Sequence, residues 1–165
     1  MKTHSVAAVF LAFTLFCAPN AFAQTRMDTS PMTTIALRLG PGQDLKRELD
    51  AFVKRNNLAA VSVLTCVGSL TRVPLRYANQ EGYEVLTGHF EIVSLTGMLS
   101  AQSGSHLHLA VADSTGRTVG GHFGDGSSVY TTAEILLGIL PAYQFTREPD
   151  PKSGYRELVI RKKIR

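Results

Sequence analysis

Cysteine is scarce in this chain: two in 165 residues, Cys17 and Cys66. Cys17 falls in an N-terminal segment read below as cleaved. That leaves one thiol, so no intramolecular disulfide can staple the mature protein. Beyond that segment there is no apolar run of the roughly 20 residues that a membrane-spanning helix needs, and no heptad, repeat or low-complexity tract. A dominant charge sign is lacking too. Seventeen Lys and Arg stand against 13 Asp and Glu, a net +4, scattered except for Arg161, Lys162, Lys163 and Arg165. A terminal basic tail is usually a solvated end. The Gly-x-Ser-x-Gly nucleophile turn and the His-Glu-x-x-His zinc helix are both missing. Gly120–Ser127 is glycine-rich but lacks the Lys-Ser/Thr ending of a phosphate loop, and reads as a turn after a hairpin.

What is present starts with Lys2, the apolar run Val6–Cys17 and the small-x-small triplet Ala21-Phe22-Ala23. This pattern predicts a signal peptide over 1–23, a mature start at Gln24 and a periplasmic or secreted destination. The run is too short to stay as a membrane helix, and Pro19 and Asn20 would break a buried one. Bulky Phe16 argues against lipid attachment at Cys17. Losing Lys2 with this segment takes the net charge from +4 to +3. The remainder divides into a flexible leader over 24–32, one domain over 33–163 and the end of a basic tail at 164–165. That length supports one core and is too short for two.

Thr33–Leu39 alternates as a strand should, and Gly40-Pro41-Gly42 stops it. Leu45, Leu49, Phe52 and Val53 fall at helical spacing, predicting one amphipathic helix over about 43–56. Asp44 and Glu48 near its start and Lys54 and Arg55 near its end suit the helix dipole. Predicted strands then follow at 60–69, 73–77, 83–88, 89–100, 105–112, 117–123, 129–140, 143–147 and 156–163. The expected class is α+β, one early helix packed on a large antiparallel or mixed sheet. Strands 89–99 and 129–140 are apolar on more than one face, which points to burial against a second copy. Cys66 sits in the apolar strand Val61–Val67 with no base nearby in sequence, and reads as an inert core thiol.

Three histidines lie close together: Ser105-His106-Leu107-His108-Leu109, then Gly120-Gly121-His122. Strand residues two apart share a face, so His106 and His108 project together. Asp113-Ser114-Thr115-Gly116-Arg117 fits a three-residue hairpin loop with Gly116 at the left-handed position. If Asp113 pairs with Arg117, His108 falls directly opposite His122, with His106 on the diagonal. Gly120 and Gly121 would allow a bulge or a close backbone approach. Three imidazoles so placed suit zinc and leave one coordination position open; copper and nickel also accept imidazole. The alternative is that the histidines are hydrogen-bonded structural residues. His89, in Gly88-His89-Phe90-Glu91, lies outside the hairpin and is not counted as a ligand. Glu134, within Ala133-Glu134-Ile135-Leu136-Leu137, is an isolated carboxylate in an apolar strand. It would face an interface, pair with an arginine, or orient a ligand histidine. Asp113 and Asp125 read as turn residues.

Together, Gly88-His89-Phe90-Glu91-Ile92-Val93-Ser94-Leu95-Thr96-Gly97, the Ser-His-Leu-His motif, Gly-Gly-His and a Leu-Gly-Pro-Gly-x-Asp-Leu segment resemble the plant-and-prokaryote-conserved (PPC) domain over residues 33–163. The resemblance implies an α/β-type fold assembled as a homotrimer. It also implies a metal ion on His106, His108 and His122. Glu91 belongs to the matched segment as a candidate for structural work or for orienting a ligand. Its bland reading is a strand carboxylate satisfied by an arginine or a backbone amide. Plant relatives bind AT-rich DNA through separate Arg-Gly-Arg-Pro hooks, which this chain lacks, so DNA binding is not expected. His89 stands where the plant-type motif carries arginine.

Three functional readings follow. The first is an exported, non-catalytic trimer with a three-histidine zinc site, acting as a binding or sensing module. The second is a hydrolase or lyase using metal-bound water, with Glu91 or Glu134 as weak catalytic candidates. The third is an interaction scaffold with structural histidines and no metal.

Overall fold

A computed structural model describes residues 29–163, and the predicted signal peptide lies outside them. The elements, in order, are β1 (Thr33–Leu39), α1 (Leu45–Arg55), β2 (Val61–Arg76), β3 (Glu84–Ser100), β4 (Gly104–Ala112), β5 (Thr118–Phe123), β6 (Ser128–Ile139), β7 (Tyr143–Pro149) and β8 (Arg156–Lys162). Six strands form one antiparallel sheet in the order β1-β6-β2-β3-β4-β5. The last residues of β2 also pair with β5, Leu75 opposite Phe123 and Arg76 opposite His122, which curls the sheet back on itself. β7 and β8 make a separate hairpin. This is the expected α+β class, with the final two predicted strands set outside the main sheet. No helix among the described residues is long and apolar enough to cross a membrane.

The helix is capped by Asp44, whose carboxylate accepts from Arg47 N, while Glu48 in its first turn and Lys54 and Arg55 in its last complement the dipole. Its apolar stripe, Leu45, Leu49 and Val53, is buried against the sheet. There it meets Val61, Leu70, Val73, Leu75, Leu99, Leu109 and Leu137 in one core. Asp44 also accepts from Gly126 N (2.6 Å) and Ser127 Oγ (2.8 Å), tying the helix start to the loop between β5 and β6. Cys66 is buried in β2, and burial pushes its thiol up to about 12, far from the range of a thiolate nucleophile.

Two pairs of predicted strands are single strands. The expected 60–69 and 73–77 are one strand, β2, carried through Thr71 and Arg72 by register shifts on both sides. The expected 83–88 and 89–100 are likewise one strand, β3, with a register shift against β2 at Gly88 and His89. Bulges bend long strands without ending them. The glycine-rich stretch is also corrected: Gly120–Phe123 is the body of β5, and only Gly124–Ser127 is the turn.

Candidate metal centre

β4 alternates strictly. Leu107, Leu109 and Val111 are buried in the core, so His106 and His108 stand on the opposite face. The following turn is held by its own side chain. Asp113 N donates to Arg117 O (3.0 Å) and Gly116 N to Asp113 O (2.9 Å). Asp113 Oδ1 accepts from Thr115 N, Thr115 Oγ1 and Arg117 N, and Gly116 has φ +80°. Such a turn leaves one register for the hairpin, and that register puts His108 opposite His122.

Two glycines let the backbones close around this face. A Cβ on Gly97 of β3 would stand 2.0 Å from the His106 carbonyl oxygen, and its φ is +138°. A Cβ on Gly121 would stand 2.7 Å from the Arg76 carbonyl oxygen, where β5 meets β2. The second is the close approach expected of the Gly120-Gly121 pair.

The three imidazoles converge. Ring centroids are 4.5 Å apart for His108 and His122, 4.8 Å for His106 and His122, and 5.2 Å for His106 and His108. One ligand nitrogen from each lies within 4.8 Å of the other two. His106 Nε2 and His122 Nδ1 are 3.2 Å apart. Two nitrogens on a tetrahedral zinc, each bonded at about 2.0–2.1 Å, stand about 3.3–3.4 Å from each other. One pair therefore already has ligand spacing, and side-chain rotation could close the remainder. The residues present fit a borderline-soft divalent ion such as zinc.

Arg147 Nη2 lies 2.8 Å from His106 Nδ1. Arginine only donates, so Nδ1 accepts, and the neutral ring carries its proton on Nε2, facing His122. For Nε2 to act as a ligand that proton must move to Nδ1. There it would face a second donor instead of the usual carboxylate or carbonyl. Burial, then the Arg147 guanidinium, then His108 hold the His106 imidazole below its ordinary range. Burial, then Arg76, then His108 and His106 do the same for His122. Both effects favour neutral rings, the form a metal requires.

Beside the histidines opens a cleft of about 480 Å³, lined by Arg76, Ser105, His106, His122, Arg147, Tyr155, Arg156 and Glu157 among others. The β7–β8 hairpin forms one wall. It is anchored by buried Phe145, whose N donates to Ala59 O (2.9 Å) and whose O accepts from Ser100 Oγ (2.9 Å).

Neither predicted carboxylate reaches this cluster. Glu91 is exposed on β3 opposite Ala112, four pairs along β4 from His108, or about 13 Å at the usual strand rise. Glu134 is exposed on β6 opposite Arg38, on the far side of β2 from the histidines. His89 packs on Tyr130 with ring centroids 4.3 Å apart, away from the cluster. Asp125 is in the β5–β6 turn and pairs with Lys46 at 2.8 Å. The residues that sequence reading missed are Arg76, Arg147, Arg156 and Glu157. Arg76 could have been found only by knowing that β2 curls to β5. Arg147 and Arg156 gave no local signal beyond being basic strand residues.

A family profile described as the Plants and Prokaryotes Conserved (PCC) domain matches residues 26–141. The bifunctional protein GlmU of Synechococcus sp. (strain JA-3-3Ab) is 48% identical over 136 residues, 82% of this chain and 22% of that protein. This chain thus spans about a fifth of the curated relatives it first matches. A hypothetical protein from Salmonella cholerae-suis has a similar structure at TM-score 0.81 and 48% identity, covering 83% of this chain and 99% of that one. A metal-containing protein from Archaeoglobus fulgidus shares the fold at TM-score 0.67 and 24% identity, covering 81% of this chain and 99% of that one.

Proposed function

We propose that this chain, which belongs to the Plants and Prokaryotes Conserved (PCC) domain family, is an exported, metal-binding trimer that serves as a binding or sensing module. The observation that carries the reading is the single-faced cluster of His106, His108 and His122, with ligand nitrogens within 4.8 Å of one another. These three residues would hold one zinc ion, which would supply Lewis acidity and, with three protein ligands, one open coordination position. The chain's own part is to fix the ligand register through the β4–β5 turn, favour the neutral form of His106 and His122 and provide the cleft wall. The metal content of the Archaeoglobus protein, described as metal-containing, agrees with this reading.

Export rests on the segment 1–23, and its test is the N-terminal sequence of protein recovered from periplasmic extract, expected at Gln24. Assembly is supported by the apolar side chains on the sheet's outer face, Val67 (55% exposed), Val93 (56%) and Tyr130 (46%), which a lone domain would leave wet. Metal binding is tested by zinc content per chain and by its loss in His122→Ala.

A hydrolase or lyase reading draws on one observation, the Glu157 carboxylate in the cleft beside the histidines. Under that reading Glu157→Gln abolishes turnover of a substrate found by screening while zinc content stays the same. Full turnover in the variant would remove Glu157 as its acid or base.

A further inference from the structure

The cleft beside the histidines is built for negative charge. Arg76, Arg147 and Arg156 all line it, against one carboxylate, Glu157. Among the described residues none of the three guanidiniums has a carboxylate within 4.0 Å, whereas Lys46, Arg47 and Arg161 all do. Their hydrogen bonds go to neutral groups: Arg76 to Gln80 O (3.1 Å), Arg147 to Arg156 O (3.1 Å) and His106, and Arg156 to Arg147 O. An arginine carries five N–H donors in a planar fork matched to carboxylate and phosphate oxygens, so each has donors to spare.

The surplus is awkward for the protein alone. Three cations crowd a face where a divalent ion would also sit, and like charges at close range repel. An anion reaching from the guanidiniums to the histidine cluster removes the conflict at both ends. A volume of about 480 Å³ is that of a small-molecule site. Tyr155, 76% exposed at the turn of the β7–β8 hairpin, stands at the rim, where an aromatic face can cover a bound molecule. Arg147, Tyr155, Arg156 and Glu157 all lie beyond residue 141, where the family match ends.

From this we propose that the cleft between the β7–β8 hairpin and the histidine face binds a small oxyanion, a carboxylate- or phosphate-bearing molecule, gripped by Arg76, Arg147 and Arg156. The proposal deepens the metal-binding reading, because the same anion would reach the open position of a metal held by His106, His108 and His122. Its arginine grip also stands without the metal.

The test is calorimetric titration of the full mature chain, metal-free and zinc-loaded, with inorganic phosphate and separately with succinate. Variants Arg76→Gln and Arg156→Gln are titrated alongside, with circular dichroism and zinc content measured on every sample. The expected result is saturable binding of at least one probe, weakened tenfold or more in each variant at unchanged zinc content. The tighter probe identifies the class. No saturable binding tighter than about 10 mM in either form, or equal binding by wild type and folded variants, overturns the proposal. Full zinc content without anion binding overturns the anion site alone. Arginine-dependent anion binding by a protein that takes no zinc upholds the anion site and overturns the metal reading.

Discussion

Arg147 and His106 illustrate how much one contact decides. A guanidinium 2.8 Å from Nδ1 stabilises the tautomer in which Nε2 holds the proton, the opposite of what a metal ligand requires. Replacing the donor with a group that can accept from Nδ1–H should therefore help the metal. Arg147→Gln is expected to tighten zinc binding about tenfold, within the range that ligand-orienting partners control, as read by competition with a colorimetric chelator. The pH dependence follows from the same surroundings. His106 and His122 are both held below the ordinary imidazole range of about 6.5. In the metal-free protein a lowered folded value means that the unfolded chain binds protons first. Stability is then full above about pH 6.5 and falls as pH drops from there through the lowered folded values. Urea midpoints of metal-free wild type should fall over that window, and those of a His106→Gln, His122→Gln double variant should fall less. The histidine face itself was legible in the sequence, because a period of two and a turn are local properties. The arginine was not. It lies 41 residues from His106, and only the packing of the hairpin brings them together.

Among the elements, the β4–β5 hairpin was readable down to its register because Asp113 and Gly116 specify the turn chemically. Helix α1 was equally clear, from its apolar stripe and its end charges. β2 and β3 were each read as two strands. Thr71, Arg72 and Gly88 look like punctuation, yet in a curled sheet they are the points where a long strand bends. Gly97 carries the element-scale prediction. Gly97→Ala would drive a Cβ into the His106 carbonyl from a positive φ, forcing β3 and β4 apart beneath the ligand. It is expected to cost about 2–3 kcal/mol in urea unfolding and to weaken zinc binding. Gly116→Ala, at a turn with nothing within 4 Å of the new Cβ, should cost about 1 kcal/mol and leave zinc binding intact. Equal effects from the two would show that close strand approach at Gly97 does not position the site.

At the scale of the whole molecule, the sheet has one face filled by the helix and the core. The other carries exposed Val67, Val93 and Tyr130 together with the histidines. The sequence hinted at this by strands apolar on more than one face, although no local pattern states what covers them. Light scattering on the mature protein is expected to give three times the chain mass, and Val93→Asp a smaller species. A monomeric wild type at micromolar concentration would remove the trimer from the account. The central claim is the metal on the three-histidine face, and zinc content per chain tests it most directly. The protein should be purified without added metal or affinity histidines, and wild type compared with folded His108→Ala. The account predicts about one zinc per wild-type chain and none in the variant. No zinc in wild type after incubation with excess zinc, or the same zinc in both, would contradict it.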